Sequence, residues 1–157
     1  MPQTTYTVEE ATRSIERYCA YQERCHQEVV DKLKKMGMID LAIEEIVPHL
    51  IHHGFLNEAR YAEAFARGKF RIKKWGKQRI SRELKTKGLT ERNIKQGLLQ
   101  ISEEDYLATF ISLSRKRMEQ LTSETDKFKK RKKLADYLLY RGWESYLVYE
   151  RVKELIP

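Results

Sequence analysis

Apolar residues recur along this chain at intervals of three and four, and no β-branched run alternates at two. The pattern predicts helices throughout and no strand. Three segments share one spacing: Val29, Leu33 and Gly37; Ile80, Leu84 and Gly88; Leu134, Leu138 and Gly142. The i, i+4 apolar pair stacks on one helix face. The glycine four residues later fits the left-handed position that ends a helix. A second apolar-periodic stretch follows each glycine: Leu41, Ile43, Ile46, Val47, Leu50; then Ile94, Leu98, Ile101; then Tyr146, Val148, Val152, Leu155. A longer helix precedes each. Glu58, Tyr61 and Phe65 match Glu103, Tyr106 and Phe110, and Ile15, Tyr18 and Tyr21 give a looser first copy. Thr7-Val8-Glu9-Glu10 has the form of a capping box and opens the first helix.

The fold expected is all-α: three tandem three-helix repeats, helix-turn-helix-like units, in an elongated, curved array. Their expected bounds are 1–55, 56–102 and 103–157. A unit of this size buries little alone, so neighbours stack. Two residues strain the scheme. Pro48 is expected to kink or break the third helix, and Gly97, inside the sixth, costs roughly 1 kcal/mol relative to alanine.

Charge changes the picture, because it does not follow the repeat. The 157 residues carry a net charge of +8. Residues 1–55 hold 6 basic and 9 acidic groups, residues 56–102 hold 13 and 4, and residues 103–157 hold 12 and 10. The positive excess therefore lies in the middle segment, as a localised electrostatic footprint would. With Ile80 and Leu84 facing inward, Arg67, Lys69, Arg71, Lys73, Lys74, Lys77, Arg79, Arg82, Lys85 and Lys87 are candidates for contact with nucleic acid or with a protein filament. Phosphate contacts of this kind carry no base readout; about six of them would give a log K against log salt slope of about −5. A second cluster, Lys127–Lys133, is cationic at six of seven positions. There Lys129, Lys130 and Arg131 are candidates, with Phe128 and Leu134 expected to turn inward; a charged linker is the competing reading. Trp75, before Gly76, can stack on a base or plug a helix corner.

Other chemistries find little support. His49, His52 and His53 have a spacing that zinc can use, but the same residues suit a helix C-terminus, and no metal or cofactor is expected. No phosphate-cradling glycine loop and no nucleophile–base pair can be nominated, so no catalysis is expected. Cys19 and Cys25, six apart on a helix, would point to different sides, which disfavours a disulfide. No apolar run approaches a membrane span. The expected setting is soluble and cytoplasmic. Gln78–Lys87, the Gly88 turn and Glu91–Ile101 have suitable lengths for a stand-alone helix-turn-helix DNA-binding protein, with Arg92, Asn93, Lys95 and Gln96 toward base edges. That alternative explains one copy of a pattern that occurs three times.

Gly76, Ile80, Leu84 and Gly88 at four-residue intervals, preceded by Leu56-Asn57-Glu58 and Tyr61-Ala62, resemble the RecX family, bacterial regulators of the RecA recombinase. Gly68-Lys69-Phe70-Arg71 and Trp75-Gly76-Lys77 are similar to the same family. The resemblance spans roughly Tyr18 to Leu155. It departs at Asn57-Glu58, where the family often has Asp-Asp, and at Trp143, where Phe is commoner. It implies a non-enzymatic protein that binds the RecA filament on DNA and inhibits ATP hydrolysis and strand exchange, modulating recombination, DNA repair and the SOS response; the oligomeric state is left open, with a monomer as the default expectation. Direct contact with single- or double-stranded DNA is left open.

Overall fold

A computed structural model describes residues 5–157. Among them are nine α-helices, one short π-helix and no strand. In chain order the α-helices are α1 (Val8–Tyr21), α2 (His26–Lys35), α3 (Asp40–His52), α4 (Glu58–Gly68), α5 (Lys77–Thr86), α6 (Glu91–Leu98), α7 (Glu103–Gln120), α8 (Lys127–Tyr140) and α9 (Ser145–Leu155). The π-helix, Lys69–Lys73, continues directly from α4. The helices fall into triplets, and the glycine stops stand where the spacing placed them: Gly37, Gly88 and Gly142 have φ of 84°, 84° and 92°. Thr7 forms the expected capping box, its Oγ1 accepting from Glu10 N at 3.1 Å while its own N–H donates to Glu10 Oε1 at 3.0 Å.

Packing divides the chain into two compact units. The first contains the described residues up to Ala64 together with Lys85–Gly97; the second contains Phe65–Leu84 together with Leu98–Pro157. The middle triplet thus contributes to both.

In the first unit, Ala11, Ile15 and Cys19 of α1 meet Val29, Leu33, Ile43, Ile46, Val47 and Leu50 of α2 and α3. The expected row Ile15, Tyr18, Tyr21 is corrected here. Tyr21 is exposed, and the buried row runs Ala11, Ile15, Cys19 at strict i+4 intervals. The same row recurs as Ala62, Ala66, Phe70 and as Tyr106, Phe110, Ser114. Leu41 and Tyr146 are exposed as well. Each stands two residues, about 200° of helical rotation, before a buried residue, Ile43 or Val148. The α3 helix runs on through Pro48, which leaves the Glu44 carbonyl without its helical donor at an exposed residue.

Gly97 is needed for space. A Cβ there would lie 2.7 Å from the Ala62 carbonyl oxygen and 3.0 Å from the Ala62 Cβ. Its helix-propensity cost is offset by the close approach of α6 to α4. Gly97→Ala, which improves propensity, is therefore expected to lower stability by about 1–3 kcal/mol through overpacking, read as a drop in urea midpoint. A rise in midpoint would show that α6 can move away without loss.

Cys19 and Cys25 are both free and buried. They do not share a helix: Cys19 lies in α1, and Cys25 is the N-cap of α2, its N–H donating to Glu28 Oε1 at 3.0 Å. Burial pushes both thiols up to about 11 from an ordinary 9.0. The neutral form is favoured by folding, so this contribution is whole below pH 9 and is lost as pH rises through 11. Melting temperature is expected to fall between pH 9 and pH 11, and to fall less in a Cys19→Ala/Cys25→Ala variant. An identical pH profile for the two would contradict this.

Candidate interaction surface

The second unit is built around four closely packed, mutually tilted rings. Trp143 is fully buried; its ring centroid lies 4.5 Å from Tyr106, 5.1 Å from Phe110 and 6.5 Å from Phe70. Phe70 and Tyr106 are 5.9 Å apart. Each polar edge of this cluster is used. Trp143 Nε1 donates to the Lys74 carbonyl at 3.1 Å. The Tyr106 hydroxyl donates to Glu144 Oε1 and accepts from the Lys77 N–H at 2.8 Å. Burial and the hydrogen bond to Glu144 raise the phenol well above its usual range. Ser114, the one buried polar side chain of α7, donates to the Ile111 carbonyl at 2.9 Å and accepts from Arg151 Nε at 2.9 Å.

This core dictates how α5 begins. Trp75 and Gly76 offer no side-chain oxygen as a cap, so acceptors come from elsewhere in the unit. Gly76 N donates to Arg141 O at 2.8 Å, Lys77 N to Tyr106 Oη, and Gln78 N to Gly142 O at 3.0 Å. The start of α5 is filled from within, and these amides are not open to a phosphate. The approach is close: a Cβ on Gly76 would stand 2.4 Å from the Gly142 carbonyl oxygen, and one on Gly142 would stand 2.3 Å from the Arg79 Cβ.

The core also fixes the basic stretch, and it divides the candidate cations. Arg79 is half-buried, its guanidinium between the rings of Trp75 (4.1 Å) and Tyr140 (4.8 Å), with Nη1 donating to the Tyr140 carbonyl at 3.3 Å. Lys69 lies over Trp75 at 5.1 Å and Phe65 at 5.5 Å. Lys77 sits 4.5 Å from the Tyr106 ring centre and 3.9 Å from Glu103 Oε2. Arg67 donates to Gln100 Oε1 at 3.3 Å. Trp75, half-buried, has Arg79 and Lys69 over its ring and Phe65 at its edge, so it packs the corner rather than standing free. Arg82 is exposed on α5. In the first unit, Lys85 is exposed 4.0 Å from Glu91 Oε1, and Lys87 is half-buried.

Arg71, Lys73 and Lys74 differ. All three are exposed, and among the described residues their side chains have no hydrogen bond, ion pair or ring contact. They ride on the π-helix and on Lys74 itself, whose φ and ψ of 58° and 36° are left-handed. Trp143 Nε1 on the Lys74 carbonyl, together with Lys74 N to Phe70 O at 3.1 Å and Trp75 N to Lys69 O at 3.3 Å, holds that conformation. No sequence signal marked it, because it depends on a tryptophan 69 residues away.

The second cluster is helical, the first turns of α8, with Asp126 as N-cap accepting from Lys129 N at 3.1 Å. Phe128 does not turn inward; it is 76% exposed, a turn and a half before Leu134, the first buried residue of α8. Arg131 is committed to the fold, Nε donating to the Ile156 carbonyl at 2.8 Å. Lys132 pairs with Asp136 and Lys133 with Glu124, each at 2.7 Å. Lys129 is exposed and, behind the Lys133 and Asp126 hydrogen bonds, its charge helps hold the Glu124 carboxyl below its usual range; Lys130 is half-buried; among the described residues neither side chain makes a hydrogen bond or ion pair. On α6, Arg92, Lys95 and Gln96 are exposed and Asn93 is half-buried. His49 Nε2 meets Glu16 Oε2 at 2.8 Å. Among the described residues, no group of three or more His, Cys, Asp or Glu could hold a metal ion, and no helix is long and apolar enough to cross a membrane.

Fold and surface define an all-helical protein of repeated three-helix units, with one fixed cationic turn in the middle triplet. Residues 57–98 match the family model described as RecX, second three-helix domain. The regulatory protein RecX of Prosthecochloris aestuarii is 30% identical over 139 residues, covering 88% of this chain and 89% of that protein. The chain belongs to the RecX family. The regulatory protein RecX of Lactobacillus delbrueckii subsp. bulgaricus is 28% identical over 144 residues; this chain spans 52% of its length. The fold is that of the RecX crystal structure from Lactobacillus salivarius, with a TM-score of 0.79 at 23% identity over 94% of this chain and 96% of that one. A second crystal structure of regulatory protein RecX gives a TM-score of 0.83 at 24% identity, covering 94% and 73%.

Proposed function

We propose that this protein is a cytoplasmic regulator that binds the RecA recombinase filament on DNA and inhibits its ATPase and strand exchange, modulating recombination and DNA repair. Membership of the RecX family supports a regulatory role. The observation that carries the surface assignment is the run Arg71, Lys73, Lys74, three exposed cations with no partner in the fold among the described residues. A filament of recombinase on DNA offers phosphates and carboxylates that such cations can reach. We read 1–55, 56–102 and 103–157 as the repeating units, and the middle one as the contact unit, aided by Lys129 and Lys130 of the last. The protein acts by occupying the filament rather than by chemistry of its own.

The test is the single-stranded-DNA-dependent ATPase of RecA with increasing amounts of this protein. The proposal expects inhibition approaching completion at or below one copy per recombinase subunit. No effect at that ratio would overturn it. Tight, salt-resistant binding to one duplex sequence without RecA would instead favour a stand-alone helix-turn-helix reader.

A further inference from the structure

Ile72 is 78% exposed and sits between Arg71 and Lys73, two cations without partners among the described residues. A solitary exposed isoleucine is ordinary. This one differs in how it is presented. It lies on a π-helix, a rare form that appears mostly as single-turn bulges in α-helices and frequently at functional sites. The turn closes on a lysine in the left-handed region, a conformation unfavourable for any residue with a Cβ. On its inner side Phe70 is buried against Tyr106 and Trp143, and on its outer side the turn's one apolar group is Ile72. The fold therefore invests a tryptophan hydrogen bond and a strained lysine in holding one aliphatic side chain out among cations.

Phosphates would use Arg71, Lys73 and Lys74 but have no use for a branched aliphatic group. An apolar centre with a charged rim is instead the anatomy of a protein contact, where one anchor fills a pocket and charges surround it. We infer that Ile72 is the apolar anchor of a protein-docking knob, and that its partner is a folded protein offering an apolar socket rimmed by carboxylates. The inference rests on the reading above for its probe, the RecA filament.

The experiment compares wild type, Ile72→Ser and Ile72→Leu, each labelled at the N-terminus. Each is titrated with RecA filaments fixed on poly(dT) by a non-hydrolysable ATP analogue, and separately with the same poly(dT) bare. Loss of one buried aliphatic anchor is worth about ten- to a hundredfold in affinity. Ile72→Ser is expected to lose filament affinity by that factor, Ile72→Leu to stay within about threefold of wild type, and binding to bare poly(dT) to be the same for all three. Equal filament affinity of wild type and Ile72→Ser would overturn the inference and leave the RecA reading standing. A matching loss on bare poly(dT) would overturn it in favour of a wedge into nucleic acid. Failure of wild type to bind filaments would remove the RecA reading and this inference with it.

Discussion

Reversing charge at Arg71, Lys73 and Lys74 to Glu is expected to abolish the proposed inhibition of the RecA ATPase while leaving helical circular dichroism and melting temperature unchanged within a few degrees. The three side chains are exposed and make no contact in the fold among the described residues, so their removal costs the native state little. The effect on binding is large because three attractive charges become three repulsive ones. Even at about 1 kcal/mol per contact the swap exceeds a hundredfold in affinity. Lys77 and Arg79 are poor choices for the same experiment, though they belong to the same basic stretch. Arg79 is clamped between Trp75 and Tyr140, and Lys77 lies on the Tyr106 ring. Reversing them confounds loss of contact with loss of structure. Inhibition surviving the triple variant would show that the contact lies elsewhere.

Trp143→Ala is expected to cost about 3–5 kcal/mol of stability. It empties the centre of the ring cluster and frees the Lys74 carbonyl, so the second unit and the cationic turn are lost together. Trp143→Phe separates the two roles. It keeps most of the packing against Tyr106 and Phe110 but cannot donate to Lys74. It is expected to cost about 1–2 kcal/mol and to raise amide exchange at Lys74 and Trp75. Urea denaturation of the three proteins checks the order. A Trp143→Ala variant as stable as wild type would show that the cluster does not hold this unit.

Much of the architecture was legible in the spacing of apolar residues before a glycine. Val29 and Leu33, Ile80 and Leu84, and Leu134 and Leu138 are all fully buried, and the glycines that follow them are left-handed. Periodicity failed where the inward row is built from small residues. Ala11, Ala62, Ala66 and Ser114 carry too weak a hydrophobic signal, so Tyr18 and Tyr21 stood in for a row that runs Ala11, Ile15, Cys19. Leu41, Phe128 and Tyr146 misled in the opposite direction, since an apolar side chain near a helix start need not reach the core.

The candidate surface was legible as a composition but not as a site. Charge alone gives ten cations between Arg67 and Lys87. What sorts them is long-range: Arg79 meets Tyr140, Lys77 meets Tyr106, and Trp143 reaches back to Lys74. Such partners lie 29 to 69 residues apart in the chain, beyond any local pattern. The π-helix is hidden for the same reason, since its left-handed end is imposed by the ring cluster and not by the identity of Lys74.

The central question is whether the exposed cations of this turn lie against the recombinase. Lysine acetylation footprinting reads that directly, with reactivity at each site compared for free protein, protein with single-stranded DNA alone, and protein with RecA filaments. Lys73 and Lys74 are expected to lose most of their reactivity in the presence of filaments and not with DNA alone, while Lys32 and Lys34 of α2 stay reactive throughout. Bound filaments that leave Lys73 and Lys74 as reactive as in the free protein would contradict this contact.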